Sequence, residues 1–75
     1  MKTTVKSYQA KAKAFRISVI NNETTLKEIA EQTNTSYHTM LRIGAGNYRT
    51  SELRAKVISN VLNEKLEDIF EVAER

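Results

Sequence analysis

The chain has 75 residues, 12 of them lysine or arginine and 9 aspartate or glutamate, for a formal charge of +3 with 40% apolar residues. A chain this short hides only about 60% of its unfolded surface and supports one core, so residues 1–75 are expected to form a single domain without space for an enzyme cleft and lid. The absence of cysteine excludes disulfides, thiolate metal sites and thiol nucleophiles together and points to the cytoplasm, and neither an export signal nor a membrane-spanning run occurs.

Charge is unevenly placed. Lys2, Lys6, Lys11, Lys13 and Arg16 precede any acidic residue, while Glu64, Glu67, Asp68, Glu71 and Glu74 crowd the other end. The basic end has two readings of equal standing, phosphate contact through counterion release or the solvated face of an amphipathic helix. The acidic end is expected to point away from any nucleic acid. There is no proline, and the two glycines, Gly44 and Gly46, lie close together, so helical periods run nearly unbroken. The pattern predicts an all-α fold, a compact bundle of about five short helices. No internal repeat is visible and no alternating run is long enough for a strand, Ile17 to Ile20 being short and ambiguous.

The first helix is expected from about Tyr8 to Ile20 with Ser7 as its cap, because Tyr8, Ala12, Phe15 and Val19 recur on one face. Asn21 and Asn22 accept turn geometry and stop it. The second helix opens at Thr25, where Glu28 three residues on completes a capping box, and buries Leu26, Ile29 and Ala30. After Thr33, the polar run Asn34, Thr35 and Ser36 makes a turn. Ser36 then caps a third helix, from about Tyr37 to Ile43, that packs Met40, Ile43 and part of Leu41 inward. The fourth begins near Ser51, faces Leu53, Val57, Ile58, Val61 and Leu62 to the core, and ends at Asn63. A short fifth follows from Leu66, anchored by Ile69 and Phe70, with Val72 and Ala73 as extra apolar surface.

Two capped helices, a four-residue polar turn between them and a glycine-marked loop after them, from Thr25 to Arg49, have the spacing of a helix-turn-helix. The second helix of that motif lies in the DNA major groove. Opposite its buried positions, the third helix carries Tyr37, His38, Thr39 and Arg42, all able to bond a base edge or a phosphate. Arg42 leads, because its fork matches O6 and N7 of guanine; the plain alternative is an exposed or salt-bridged arginine. His38 is the sole histidine and has no second ligand beside it, so no metal and no cofactor is expected, and it either contacts DNA or faces solvent. Tyr37 either bonds a phosphate, packs on a thymine methyl or covers the turn. Tyr48 and Arg49 suit a phosphate clamp, or else stack at the surface. No phosphate-binding glycine loop, HExxH or nucleophile elbow occurs, and neither Glu28 with Glu31 nor Glu67 with Asp68 forms a pair across a cleft, so an enzyme is not expected.

Thr25, Glu28, Ile29, Ala30 and Glu31, then Ser36, Met40, Arg42 and Ile43, Gly46 in the loop and the LEDIF run from Leu66 to Phe70 together resemble the Cro and phage-repressor type of helix-turn-helix protein, lambda-repressor-like in fold. The resemblance covers roughly Phe15 to Phe70. It implies a bundle of about five helices that binds operator DNA as a homodimer, with recognition helices about 34 Å apart. It places Ser36, Tyr37, His38, Thr39 and Arg42 at the DNA face, Thr25 at the start of the second helix against phosphate, and Asn47, Tyr48 and Arg49 beside the phosphate backbone. The role it implies is a small transcriptional repressor of phage or mobile-element type. Leu26 stands where many members have glutamine and Asn34 where they have the turn glycine. Gly44 and Ala45 replace a common acidic residue and asparagine, which predicts a looser end to the third helix. Ile69, Phe70, Val72 and Ala73 are the expected dimer surface. The competing reading is a protein-interaction module whose polar face meets an antirepressor or antitoxin-like partner instead of DNA.

Overall fold

The computed structural model describes residues 6–73, so the expectations resting on Lys2 and Glu74 lie outside the described residues. In chain order the elements are β1 (Ser7–Ala10), α1 (Ala12–Asn21), α2 (Leu26–Gln32), α3 (Tyr37–Gly44), β2 (Thr50–Ser51), α4 (Glu52–Val61), α5 (Leu66–Ile69) and β3 (Phe70–Val72). All five expected helices are present. The all-α expectation is corrected, however, by a three-stranded antiparallel sheet of order β2-β1-β3. Tyr8 pairs with Thr50 on one side and Val72 on the other, and Ala10 pairs with Phe70. Residues 7–10, expected to begin a helix capped by Ser7, are therefore extended, with Tyr8 and Ala10 turned inward by strand alternation. Ala12, expected in the core, is exposed at the start of α1.

Three helices start on a hydroxyl. Thr25, Ser36 and Ser51 accept from the backbone N–H groups of Glu28, Thr39 and Arg54 at 3.2, 3.1 and 3.2 Å, which satisfies donors that an open helix end would leave bare. The expected capping box at Thr25 is half formed, since Glu28 Oε1 accepts from the Thr24 hydroxyl at 2.8 Å. Four helices also end alike. Glu23, Asn34, Gly46 and Asn63 follow the caps of α1, α2, α3 and α4 at φ of 53°, 55°, 80° and 57°. In each case two N–H groups turn back onto the last carbonyls; for α3, Gly46 donates to Ile43 at 3.0 Å and Asn47 to Arg42 at 3.1 Å. The looser end expected of α3 is thus closed, because Gly46 supplies the left-handed residue that the motif needs. Asparagine tolerates this conformation well and glutamate poorly. Glu23→Asn is accordingly expected to raise stability by about 0.5–1 kcal/mol, read as a higher urea midpoint at unchanged slope. A midpoint that stays put or falls would remove strain at this turn from the account.

The α1–α2 and α4–α5 pairs follow one plan. Glu23 corresponds to Asn63, Leu26 to Leu66, and buried Ile29 to buried Ile69. The two turns clasp each other, Asn22 Nδ2 donating to the Leu62 carbonyl and Ser18 Oγ to Glu64 Oε2, each at 2.9 Å. The likeness lies in burial and turn geometry with few shared side chains, and so no repeat is visible in the sequence.

Phe15, Ile29, Met40, Ile43, Ile58, Leu62, Ile69 and Phe70 share the core, with Phe15 and Phe70 edge to face at 6.0 Å between ring centroids. Helix α4 is rotated from its expected phase. Leu53 is 74% exposed and Val57 is also exposed, whereas Ala55, Ile58, Ser59 and Leu62 are buried. Ser59 is tolerated there because its Oγ donates to the Ala55 carbonyl at 2.9 Å, leaving no bare donor in the core. Ile69, Phe70 and Ala73 are buried within the chain and only Val72 remains exposed, so the expected dimer surface is mostly internal. Thr50 is 4% exposed, and its Oγ1 has no hydrogen-bond partner among the described residues. Thr50→Val keeps the shape and removes that buried hydroxyl; it is expected to stabilise the fold by about 1 kcal/mol in a thermal melt. A drop in midpoint would show the hydroxyl to be satisfied.

Candidate nucleic-acid interface

Helices α2 and α3 pack against each other through Ile29 and Ala30 on one and Met40 and Ile43 on the other, all buried. With Met40 and Ile43 inward, the 3.6-residue period turns His38 and Arg42 to the opposite side. Both are exposed, as is Tyr37 at 51%. Thr39 lies at the edge of this surface, half-buried. Ser36 Oγ donates to Thr39 Oγ1 at 2.8 Å while it accepts the Thr39 N–H, so the Ser36 proton is engaged and the Thr39 hydroxyl proton stays free to donate. The exposed Thr25 hydroxyl accepts the Glu28 N–H, and its proton is likewise free to reach an anion. Among the described residues the ion pair is Lys56 with Glu52 at 3.4 Å, one turn apart on α4; Arg42 has no such partner. The salt-bridged reading of Arg42 therefore has no support among them.

Two departures from the resemblance lie side by side. A Cβ at Gly44 would lie 3.4 Å from both Leu26 Cδ2 and Phe15 Cε1, ordinary contact distance, so these two side chains border the Gly44 backbone with room for a methyl group. Leu26 serves packing at the position where glutamine would serve recognition. On the other flank of that contact, Ile20, Leu41 and Ala45 with Lys13 and Arg16 border an apolar groove of about 740 Å³.

The loop after α3 divides its expected clamp. Asn47 and Arg49 are exposed, whereas Tyr48 is half-buried and packs against the core, acting as an anchor for its neighbours. The basic end divides too. Lys11 Nζ donates to the Glu67 carbonyl at 2.8 Å, which ties α5 to the start of α1, while Lys13 and Arg16 border the groove beside α3. The structure thus brings Ser36, Tyr37, His38, Thr39 and Arg42 together on α3, with Thr25 opening α2 and residues 47–49 on the following loop. Sequence reasoning missed β1, whose Gln9 Nε2 donates to the Gly46 carbonyl at 3.0 Å. No local signal announces that contact, because its partners are far apart in the chain.

No group of His, Cys, Asp or Glu among the described residues is placed to hold a metal ion, and no described helix is long and apolar enough to cross a membrane. No family model matches the chain, and no curated protein matches it. A solved structure does: the crystal structure of transcriptional regulator VanUg, form II, has a TM-score of 0.67 over 100% of this chain and 99% of that one, at 17% sequence identity. The chain has the fold of that regulator. The match covers the whole of this chain, the residues of β1 and of the α2–α3 pair included.

Proposed function

We propose that the chain is a sequence-specific double-stranded DNA-binding transcriptional regulator of the Cro and phage-repressor type, a cytoplasmic binding protein and not an enzyme, acting as a small phage or mobile-element repressor that occupies an operator. The observation that carries this reading is the capped α2–α3 pair, with Met40 and Ile43 buried beneath an exposed His38 and Arg42. The fold shared with the transcriptional regulator VanUg supports it. In the mechanism, Thr25, Asn47 and Arg49 grip phosphates and set the register, and α3 then reads base edges in the major groove, Arg42 taking guanine O6 and N7. Two copies reading half-sites one turn apart hold their α3 helices about 34 Å from each other. Since Ile69, Phe70 and Ala73 are internal, the homodimer contact falls to apolar residues that stay exposed, Val72 on β3 and Val57 on α4.

The test is selection of bound duplexes from a random pool, followed by polarisation titrations at two salt concentrations. A palindromic consensus and a steep fall of affinity with salt are expected. No enrichment together with a flat salt response would sink the regulator reading. One observation favours the protein-interaction reading in that event: Ile20 and Leu41 leave apolar surface exposed at the groove beside α3.

A further inference from the structure

Gln9 lies on a strand that DNA recognition by α2 and α3 does not require. Its side-chain amide nevertheless crosses 37 positions of sequence to bond the Gly46 carbonyl at 3.0 Å, in a half-buried contact. Gly46 is the left-handed residue that ends α3, at φ +80°, and a Cβ there would lie 3.1 Å from the Ala10 carbonyl oxygen, so β1 backbone also passes close beneath it. Beyond the loop, Thr50 pairs with Tyr8 and Ser51 with Ser7 on the same strand. Residues 47–49 therefore form a short arch with both feet on β1, one held by a side chain and the other by the sheet ladder. Tyr48 packs inward from the middle of the arch, and Asn47 and Arg49 face solvent on either side of it.

We propose that Gln9 is a positioning residue for the contact between this arch and a DNA phosphate backbone; the inference rests on the DNA-binding reading for its partner. Holding the Gly46 carbonyl does two things. It fixes the foot of the arch nearest α3, so Asn47 and Arg49 meet a phosphate with less conformational freedom left to lose. It also engages a carbonyl dipole at the negative end of α3, which would repel a phosphate if left bare. The glutamine amide fits both tasks because it supplies a donor at that reach with no charge of its own.

The test compares the wild-type chain with Gln9→Met, which keeps length and net charge but cannot donate. Two readouts are taken: amide hydrogen exchange, and polarisation titration over a salt series on duplexes of about two helical turns, one carrying the selected consensus and one scrambled. Exchange at Asn47, the arch amide that is bonded, to the Arg42 carbonyl, is expected to speed up about tenfold while the amides inside the helices are unchanged. Affinity is expected to fall about tenfold on both duplexes alike, with the slope of log affinity against log salt shallower by about one to two and the ratio between duplexes preserved. A wild-type chain that binds the duplexes alongside a Gln9→Met chain with the same slope and affinity overturns the proposal alone. So does a variant whose affinity falls only in step with its unfolded fraction, at unchanged slope. A wild-type chain that binds neither duplex overturns the DNA-binding reading and this proposal with it.

Discussion

Arg42→Ala is expected to weaken binding to the selected duplex about tenfold to a hundredfold while leaving a scrambled duplex nearly unaffected, the signature of a side chain that reads a base. Arg42 stands exposed on α3, away from buried Met40 and Ile43, and no carboxylate among the described residues competes for its guanidinium. A fork free of internal partners approaches guanine without first breaking an ion pair. Arg42→Lys sharpens the test, because lysine keeps the charge and loses the two parallel donors. It should bind scrambled DNA about as well as the wild type and discriminate nearly as poorly as the alanine variant. Equal losses on both duplexes would reassign Arg42 to a phosphate. A melt of each variant checks that α3 is intact, since Arg42 also sits in the last turn, where a cation favours the helix dipole.

Phe15→Ala is expected to cost about 3–5 kcal/mol, the range for deleting a buried aromatic ring. A chain of 75 residues has a total stability of about 4–11 kcal/mol, so this one change removes much of it and brings the variant close to unfolding. The size of the effect follows from where the ring sits. It meets Phe70, at the start of β3, edge to face, and lies against Gly44 near the end of α3, so it joins the sheet to α3. Thermal denaturation followed by circular dichroism should show a midpoint lower by about 12 °C or more. Leu53→Ala is the control, a large apolar residue on α4 left mostly in solvent, and its change should stay within about 0.5 kcal/mol. If the two variants melt together, the rotation of α4 and the central place of Phe15 are both wrong.

What could be read in the sequence was what is decided locally. Thr25 and Ser36 announce helix starts because the bond each makes lies three residues away, and Asn34 and Asn63 announce helix ends because their own backbone preference suffices. The α3 surface follows from those starts, since the phase of a short helix is settled once Met40 and Ile43 are inward. The strand at residues 7–10 was not legible. It is too short for alternation to show, Tyr8 happens to match the helical spacing of Phe15 and Val19, and the partners that make it a strand are Thr50 and Val72. Leu53 misled for another reason: hydrophobicity ranked it above Ala55 and Ser59, but the packing of α4 favoured the smaller side chains. On the candidate interface, the exposure of Arg42 and Arg49 could be anticipated from the sequence, whereas the Gln9 contact could not, because it exists only once β1 lies beside the loop.

The central place of β1 also sets an order in time. Each helix closes through bonds within a few residues, while Tyr8 must meet both Thr50 and Val72, among the most distant pairings in the fold and so the slowest to find. During synthesis the α2–α3 hairpin leaves the ribosome well before Val72 does. Helices as short as α2 and α3 are marginal on their own, so the pair and the loop after it are both held firmly only when the final strand docks.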